Sequence, residues 1–313
     1  MNSGARTLHL TRDRVHIGWS RDHPPAMTVA SGDALTADTQ DASGGQLGPA
    51  ATHASVAMLD FTRVNPVCGP VYVEGARAGD VLQVDILELL TSAHGWTAII
   101  PGFGLLSDRY TEPWLHVWDI GAEHAVFDDH LRVPLQPFCG ILGVAPAEPG
   151  THSVIPPRRV GGNLDTRQLG AGATLFLPVE VDGALFGVGD THAAQGDGEV
   201  CGTAIESAMT VSLRLTVRRD LSIDTPEFDV TRPLERAAAA VAGYHATTGV
   251  GPDLLDATRQ AVMGMIAYLC RQHGLDEQQA YAVCSVAVDL RISEVVDMPN
   301  VVVSALLPRD IFA

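Results

Sequence analysis

The chain has 313 residues, 46% of them hydrophobic, which is enough for one large domain or two smaller ones around a sizeable core. Its formal net charge of −17 argues against nucleic acid and anionic membrane as partners, because both bind basic surfaces. All 20 basic residues are arginine, which excludes mechanisms that need a lysine amine, such as a Schiff base or a Ser-Lys dyad.

The N-terminal and central segments carry mostly β signals. The first fifty residues are polar and rich in Asp, Ser, Thr and Gly, which predicts one or two short strands followed by a long surface loop. Between about Val64 and Val217, TLFLPVEVDGALFGVGD predicts a hairpin that turns at Asp182-Gly183. TVSLRLTVR alternates apolar and polar side chains, as a half-buried antiparallel strand does. Many short strands with Gly/Pro-rich turns predict a mainly β protein with a jelly-roll-like β-sandwich.

The pattern changes near Pro226. DLLDATRQAVMGMIAYLCRQHG predicts a helix that ends at Gly274, and LDEQQAYAVCSVAVDLRISEVVD predicts a second helix with Asp276 as its N-cap. NVVVSALLP follows as a buried strand. The sequence therefore predicts a mainly β part over residues 1–225, which carries the active-site loops, and a smaller C-terminal α+β part over residues 226–313.

One block, GDTHAAQGDGEVCGTAIE from Gly189 to Glu206, concentrates ligand-type side chains and glycines. In extended backbone Asp190 and His192 point to the same side, because side chains alternate with a period of two. Carboxylate and imidazole without thiolate suit a catalytic Zn²⁺, Mn²⁺ or Fe²⁺, and an all-carboxylate subset suits Ca²⁺. The alternative is that the Gly-Asp pairs are ordinary turn residues and the histidine is simply hydrogen-bonded.

Further polar side chains extend this pattern. Asp197 and Glu199 again lie two apart, and in GGNLDTR the same spacing separates Asn163 and Asp165 after a double glycine. Asp165 can complete a set of three or four ligands, although a plain Asn/Asp turn explains the segment equally well. Asp60, in AMLDFTRVNP, is either a buried acid near the site or a turn residue.

Cysteine offers a different chemistry. The five cysteines are scattered without a C-x-x-C pair, which favours reduced, cytosolic thiols. Cys201, near His192 and Asp190, is a candidate thiolate nucleophile. The acidic surroundings favour instead a small buried side chain, because a reactive thiolate needs an electropositive setting. The N-terminal segment lacks the apolar region of a signal peptide and no apolar run reaches bilayer length, so we expect a cytoplasmic protein.

The block from Gly189 to Glu206 resembles the signature of the acetamidase/formamidase family. NPVCGPVYVEGARAGDVLQVDI, PFCGILGVAP, GGNLDTRQLGAGATLFLPV and AYAVCSVAVDLRISEVVDMPN are similar to further blocks in that family's order, from about Leu59 to the C-terminus. The resemblance implies hydrolysis of short aliphatic amides to a carboxylate and ammonia, with γ-lactams as further substrates. It also implies a jelly-roll type sandwich with a smaller α/β part, a cytoplasmic homo-oligomer, and zinc or calcium as the metal.

The leading hypothesis is a metal-assisted amidohydrolase in which a cation-activated water attacks the amide carbon. The predicted metal ligands are Asp165, Asp190, His192 and Glu199. Asp197 or Glu199 carries a proton to the leaving ammonia, and Gln195 and Asn163 bind the amide substrate. Two alternatives stay open: the same hydrolysis with Cys201 as nucleophile, and a non-catalytic β-sandwich whose acidic loops bind Ca²⁺.

Overall fold

The computed structural model describes residues 8–231, 243–296 and 298–312. Short strands and loops dominate the first 231 residues, and one short helix, α1 (His53–Ala57), follows the fourth strand. The strands are β1 (Leu8–Leu10), β2 (Val15–His16), β3 (Met27–Val29), β4 (Ala34–Asp38), β5 (Val67–Val73), β6 (Val81–Thr91), β7 (His94–Ile99), β8 (Trp114–Ile120), β9 (His124–Val126), β10 (Arg132–Pro134), β11 (Phe138–Gly143), β12 (Gly161–Asn163), β13 (Thr174–Pro178), β14 (Phe186–His192), β15 (Met209–Arg218) and β16 (Glu227–Asp229).

These strands form three sheets. The first has the order β1-β4-β15-β6-β13-β16, and the second has the order β12-β11-β14-β5-β2 with β3 added in parallel to β5. The third sheet, β10-β9-β8-β7, is antiparallel. One hydrophobic core contains side chains from the first sheet, such as Val84 and Leu213, and from the second, such as Leu142 and Val188. Because Val211, Leu213 and Leu215 of β15 are fully buried, the predicted alternation of that strand is confirmed.

The predicted hairpin around Asp182-Gly183 is wrong. β13 pairs with β6 and β16 in the first sheet, whereas β14 pairs with β11 and β5 in the second. The connection crosses between the two sheets, and Gly183, Ala184 and Leu185 in succession have positive φ angles of 76°, 59° and 56°. All seven residues of β14 are buried, because the strand lies in the middle of its sheet and is covered on both faces.

The C-terminal part contains β17 (Tyr244–Gly251), α2 (Leu254–His273), α3 (Glu277–Ala287), β18 (Asp289–Glu294), β19 (Val301–Pro308) and a short 3₁₀ helix (Arg309–Ile311). Gly274 ends α2 in the left-handed conformation and Asp276 caps α3, as predicted. The second helix ends at Ala287, ten residues before the end of the predicted segment at residue 297, because DLRISE pairs with β19 as an edge strand. β19 is the predicted buried strand, and it lies between β17 and β18.

The predicted mainly β class with an α+β C-terminal part is confirmed, while the jelly-roll topology and the boundary at residue 225 stay predictions. The first fifty residues differ from expectation in two ways. Residues 8–50, the described part of this segment, hold four short strands, and the loop after β4 is partly buried, with Ala42, Ser43 and Leu47 at most 7% exposed. Among the residues that the structure describes, no helix is long and apolar enough to cross a membrane.

Candidate active site

A cavity of about 370 Å³ opens where the second and third sheets meet several long loops. Its floor is polar and is formed by the side chains of Asn163, Asp165, Asp190, Glu199 and Glu206. The loops that follow β4, α1 and β7 form the walls. Three of the five predicted site residues that carry a carboxylate or an imidazole therefore line one cavity, together with Glu206, an acid that the sequence interpretation did not single out.

His192 does not line the cavity itself, but it contacts two of the acids that do. It ends β14, is fully buried, and packs at a right angle to the ring of Phe138, with ring centroids 4.9 Å apart. Gln195 donates from Nε2 to the backbone oxygen of Asp165 at 2.8 Å, which turns its Oε1 toward His192 Nδ1 at 2.9 Å. Nδ1 must therefore carry the proton. His192 Nε2 is left to face the acids, 3.3 Å from Asp190 Oδ1 and 3.1 Å from Glu206 Oε2.

Glu206 is the acid that the sequence interpretation missed. Its backbone bridges two sheets, since it pairs with Trp96 of β7 on one side and with His192 of β14 on the other. The backbone N–H of Ala204 donates to Glu206 Oε1 at 2.8 Å, which holds Oε2 toward His192. Glu206 is the last residue of the block from Gly189 to Glu206, so its place in that block could have identified it as a candidate. Its distance of fourteen residues from His192 gave no reason to expect contact.

Three of the acids occupy strained backbone. Asp165, Asp190 and Glu199 have φ angles of 45°, 49° and 42°, in the left-handed region that side-chain-bearing residues rarely adopt. Such conformations cost about 1–3 kcal/mol each and concentrate at functional sites. A glycine also lies directly beneath the cluster, because a Cβ at Gly140 would meet Asp165 Oδ1 at 2.6 Å. The chain therefore gives up conformational stability to bring these carboxylates together.

The cluster is electrostatically unfavourable on its own. Burial, followed by the charge of Asp190, raises the pKa of Asp165 to about 7, and burial raises the pKa of Glu206 to about 7 as well. Burial and the charge of Asp165 raise the pKa of Glu199 well above its ordinary value. Burial alone would lower the pKa of His192, but the charges of Glu206 and Asp190 raise it well above its ordinary value. The site therefore needs protons or a cation for neutrality.

A divalent cation fits these residues. His192 Nε2 lies 3.1 Å from Glu206 Oε2, but neither atom, nor Asp165 Oδ1, makes a hydrogen bond of good geometry, which is rare for buried polar atoms. Ligand atoms of Asp165, Asp190 and His192 all lie within 4.8 Å of one another, and so do those of His192, Glu199 and Glu206. Because the proton on Nδ1 leaves the lone pair of Nε2 directed at the acids, the donor set is one imidazole and several carboxylates.

Comparison with known proteins decides the family. The sequence matches the model described as the Acetamidase/Formamidase family over residues 4–154 and 147–313. The chain belongs to the acetamidase/formamidase family. Membership makes it a hydrolase that acts on the carbon–nitrogen bonds of non-peptide amides.

Individual acetamidase/formamidase relatives resemble the chain over nearly its whole length. A formamidase from Methylophilus methylotrophus is 28% identical, covering 96% of this chain and 89% of that protein. Among solved structures, the gamma lactamase from Delftia acidovorans superposes with a TM-score of 0.88 at 27% identity, covering 96% of this chain and 89% of that one. An acetamidase from Bacillus halodurans has a TM-score of 0.69 at 32% identity, covering 96% and 97% of the two chains.

Two of the predicted site residues, Gln195 and Asp197, do not line the cavity. The carboxamide of Gln195 contacts His192 and the backbone of Asp165, and Gln195 is not among the residues that line the cavity. Asp197 is also outside the cavity lining, and its carboxylate accepts two hydrogen bonds from Arg167, at 2.7 and 3.2 Å. The structure thus places Gln195 and Asp197 where they orient other groups, and it places Asn163 in the cavity itself.

Cys201 and Asp60 do not face the acids. Cys201 Sγ is fully buried near backbone oxygens of Ala98 and Thr203, and burial raises the pKa of its thiol to about 11. This agrees with the expected small buried side chain, although the residue lies in a turn and not in a strand. All five cysteines are free. Asp60 is an exposed turn residue that accepts from Thr62.

The raised pKa values predict how pH affects stability. Asp165 and Glu206 have ordinary pKa values of 3.8 and 4.5 but titrate near 7 in the folded protein. Between about pH 4 and 7 the folded state therefore binds more protons than the unfolded state, so the free energy of unfolding falls as pH rises. The raised pKa of His192 acts in the same direction.

A bound divalent cation favours the ionised carboxylates, so it should offset this loss. We expect the difference in Tm between Zn²⁺-loaded and chelator-stripped protein to widen from about pH 5 to about pH 8. Differential scanning calorimetry of both forms across this range measures the difference. A Tm difference that is constant or shrinks with rising pH would contradict the assignment of these acids to a cation site.

Proposed function

We propose that the chain hydrolyses small neutral amides, linear or cyclic, with a divalent cation held by Asp165, Asp190, His192 and Glu206. The observation that carries the proposal is the convergence of His192 Nε2 with buried carboxylate oxygens of acids that line the cavity. The names of the relatives give the substrate range, since they include formamidase, acetamidase and gamma lactamase. Primary amides would yield a carboxylate and ammonia, and a γ-lactam would yield an amino acid.

We propose Zn²⁺ as the cation, with Ca²⁺ as the second candidate. The imidazole favours Zn²⁺, because Ca²⁺ takes oxygen ligands. When bound, the cation supplies a Lewis acid for the amide carbonyl and lowers the pKa of a water toward about 7. Gln195 supports the site by holding His192 in the tautomer that presents Nε2, as carbonyl partners of metal-binding histidines commonly do.

Asn163 is proposed to bind the substrate amide. Its Oδ1 is buried, lines the cavity and has no hydrogen-bond partner, so it is suited to accept from an N–H of the amide. A single acceptor in this position would orient the carbon–nitrogen bond relative to the carboxylates. Asn65, whose Nδ2 lies 3.5 Å from Asp190 Oδ2, lines the same part of the cavity.

Glu199 is proposed to carry the proton. It lines the cavity, and its raised pKa makes it able both to accept a proton from the attacking water and to deliver it to the leaving nitrogen. Asp197, the other predicted candidate, is engaged by Arg167 outside the cavity. We therefore assign proton transfer to Glu199 alone and leave its predicted role as a metal ligand to Glu206. Cytoplasmic location and homo-oligomeric assembly stay predictions.

Removal of the cation should abolish hydrolysis. We expect chelator-stripped protein to release ammonia from formamide and acetamide at least ~100-fold more slowly than protein supplied with Zn²⁺, because without the cation the attacking water would keep its ordinary, high pKa. Elemental analysis should find about one divalent ion per chain. The same assay with a γ-lactam, followed by detection of the ring-opened amino acid, tests the cyclic substrate.

Cys201→Ala is the control for the thiol mechanism. A buried thiol with a raised pKa cannot supply a thiolate to the cavity, so this variant should keep its activity within about twofold. Loss of activity in folded Cys201→Ala protein, together with full activity after chelation, would replace the metal mechanism with the thiol one. A protein that binds Ca²⁺ but hydrolyses no amide would favour the non-catalytic alternative.

A further inference from the structure

The cavity is larger than the simplest substrates require. Its volume of about 370 Å³ equals that of about twelve water molecules at roughly 30 Å³ each. Formamide and acetamide have only three and four non-hydrogen atoms. Either substrate would leave most of the cavity to water.

Apolar side chains line the open side of the cavity, since several of them are exposed to water whereas Asp190 and Glu206 are buried. Leu59 and Phe61 come from the loop after α1, Ile100 and Phe103 from the loop after β7, and Ile155 from the loop between β11 and β12. Trp96 of β7 also lines the cavity; it is 3% exposed, and its Nε1 donates to Asp41 Oδ1 at 3.0 Å. This apolar wall consists of Leu59, Phe61, Trp96, Ile100, Phe103 and Ile155, so the cavity has a charged floor and a hydrophobic upper half.

The outer members of this wall are only half covered. Phe61 is 49% exposed, Phe103 38% and Ile155 37%. The rings of Phe61 and Phe103 stack on each other with centroids 5.9 Å apart and planes inclined by 13°, although they come from different loops. Their remaining apolar surface faces water, and its removal from water by a bound apolar group is favourable.

The geometry of a primary amide fixes which part of the substrate reaches this wall. The amide group must lie at the floor, near Asn163 and the acids, and its nitrogen carries no carbon substituent. Only the acyl chain can extend from the floor into the upper half of the cavity. The acids at the floor disfavour an anionic chain, because like charges repel strongly at a buried site.

We infer that the apolar wall selects amides whose acyl group is apolar and about the size of a ring or a five-carbon chain, in preference to formamide and acetamide. The inference rests on the proposed amide hydrolysis and names its substrate class. Phe61 and Phe103 are then specificity-determining residues that contact the acyl group at the mouth of the cavity. Hexanamide and phenylacetamide represent the expected substrates.

The test is kcat/KM for a homologous series from acetamide to hexanamide and for phenylacetamide. Each methylene that the wall buries should raise kcat/KM about threefold, close to the gain expected for transferring one methylene from water to an apolar environment. Because hexanamide has four more methylenes than acetamide, its kcat/KM should be roughly 100-fold higher. Phe61→Ala and Phe103→Ala should each lower kcat/KM about tenfold for hexanamide and phenylacetamide, and less than about twofold for acetamide. Phe228→Ala is the matched control, because Phe228 is 43% exposed on β16 and does not line the cavity.

The possible outcomes separate this inference from the proposed function. An enzyme that hydrolyses acetamide but shows a flat or falling kcat/KM along the series overturns the inference and leaves amide hydrolysis intact. Equal losses for all substrates in Phe61→Ala and Phe103→Ala also overturn it. If no amide is hydrolysed, the proposed function fails, and Kd values from calorimetry for the same series decide the inference: tightening with chain length supports it, and constant Kd values refute it.

Discussion

His192→Asn is expected to give a folded protein that has lost its divalent cation and releases no ammonia from amides. The side-chain nitrogen of asparagine can take the place of Nδ1 and keep the hydrogen bond to Gln195 Oε1, whereas nothing replaces Nε2. Removal of an outer-shell partner typically costs 10- to 100-fold in metal affinity, and removal of the nitrogen ligand itself should cost more than about 100-fold. Titration with Zn²⁺ by calorimetry and an ammonia assay measure both effects.

Two further variants test whether the loss of cation binding is due to the absence of His192 Nε2. His192→Gln places an amide group near the position of Nε2, so it should keep weak cation binding and lie between the wild type and His192→Asn. His130→Asn is the control for a general effect of losing a histidine, because His130 lies in an exposed turn. Full cation occupancy in folded His192→Asn protein would show that the cluster does not bind the cation. Far-UV circular dichroism checks the fold, since His192 lies in a buried central strand.

The part of the site that follows from local geometry was predictable from the sequence. Asp190 and His192 are two residues apart in β14 and their side chains meet at 3.3 Å, as expected, although Asp190 has a φ of 49° and so departs from the extended backbone on which that expectation rested. The same rule failed for Asp197 and Glu199. Gly198 between them has a φ of 108° and Glu199 a φ of 42°, so the chain is not extended there and the two carboxylates face different surroundings.

Long-range pairing could not be predicted from the sequence. Glu206 reaches His192 only because its segment bridges β7 and β14, and spacing along the chain carries no information about that bridge. The predicted hairpin at Asp182-Gly183 is wrong for the same reason. The dipeptide indicates that the chain turns, but it does not indicate which sheet each flanking strand joins. The apolar wall comes from strand β7 and three separate loops, and spacing along the chain does not indicate that these segments meet.

The loop that carries Glu199 depends on the C-terminal part of the chain. Gly196 N–H donates to Ser285 O at 2.8 Å, and Leu290 N–H donates to Asp197 O at 3.0 Å. A side chain at Gly196 would meet Val288 O at 2.0 Å, which explains a glycine there. The helix α3 and strand β18 therefore hold the active-site loop in place, although the sequence assigns both of them to the other part of the protein.

Arg167 is the side chain that joins these segments, and it is only 1% exposed. Its guanidinium contacts Asp197 at 2.7 Å, Gln136 at 3.0 Å and Asp289 at 3.1 Å. Asp289 is also 1% exposed, so the pair is a buried ion pair. Arg167 lies two residues after Asp165 and binds the acid two residues before Glu199, so it links both strained acids to β18.

Arg167→Met is expected to lower the free energy of unfolding by about 3–5 kcal/mol, because it leaves the buried carboxylate of Asp289 without its arginine. Arg109→Met is the matched control. Arg109 pairs with Glu277 at 2.9 Å, but the two side chains are 42% and 57% exposed, and such surface pairs contribute at most about 1 kcal/mol. Urea unfolding of both variants measures the difference. Adding Asp289→Asn to Arg167→Met removes the buried carboxylate charge that faced Arg167 and should recover part of the loss. A loss in Arg167→Met no larger than in Arg109→Met, or no recovery in the double variant, would show that Arg167 is not the electrostatic link between the active-site loop and β18.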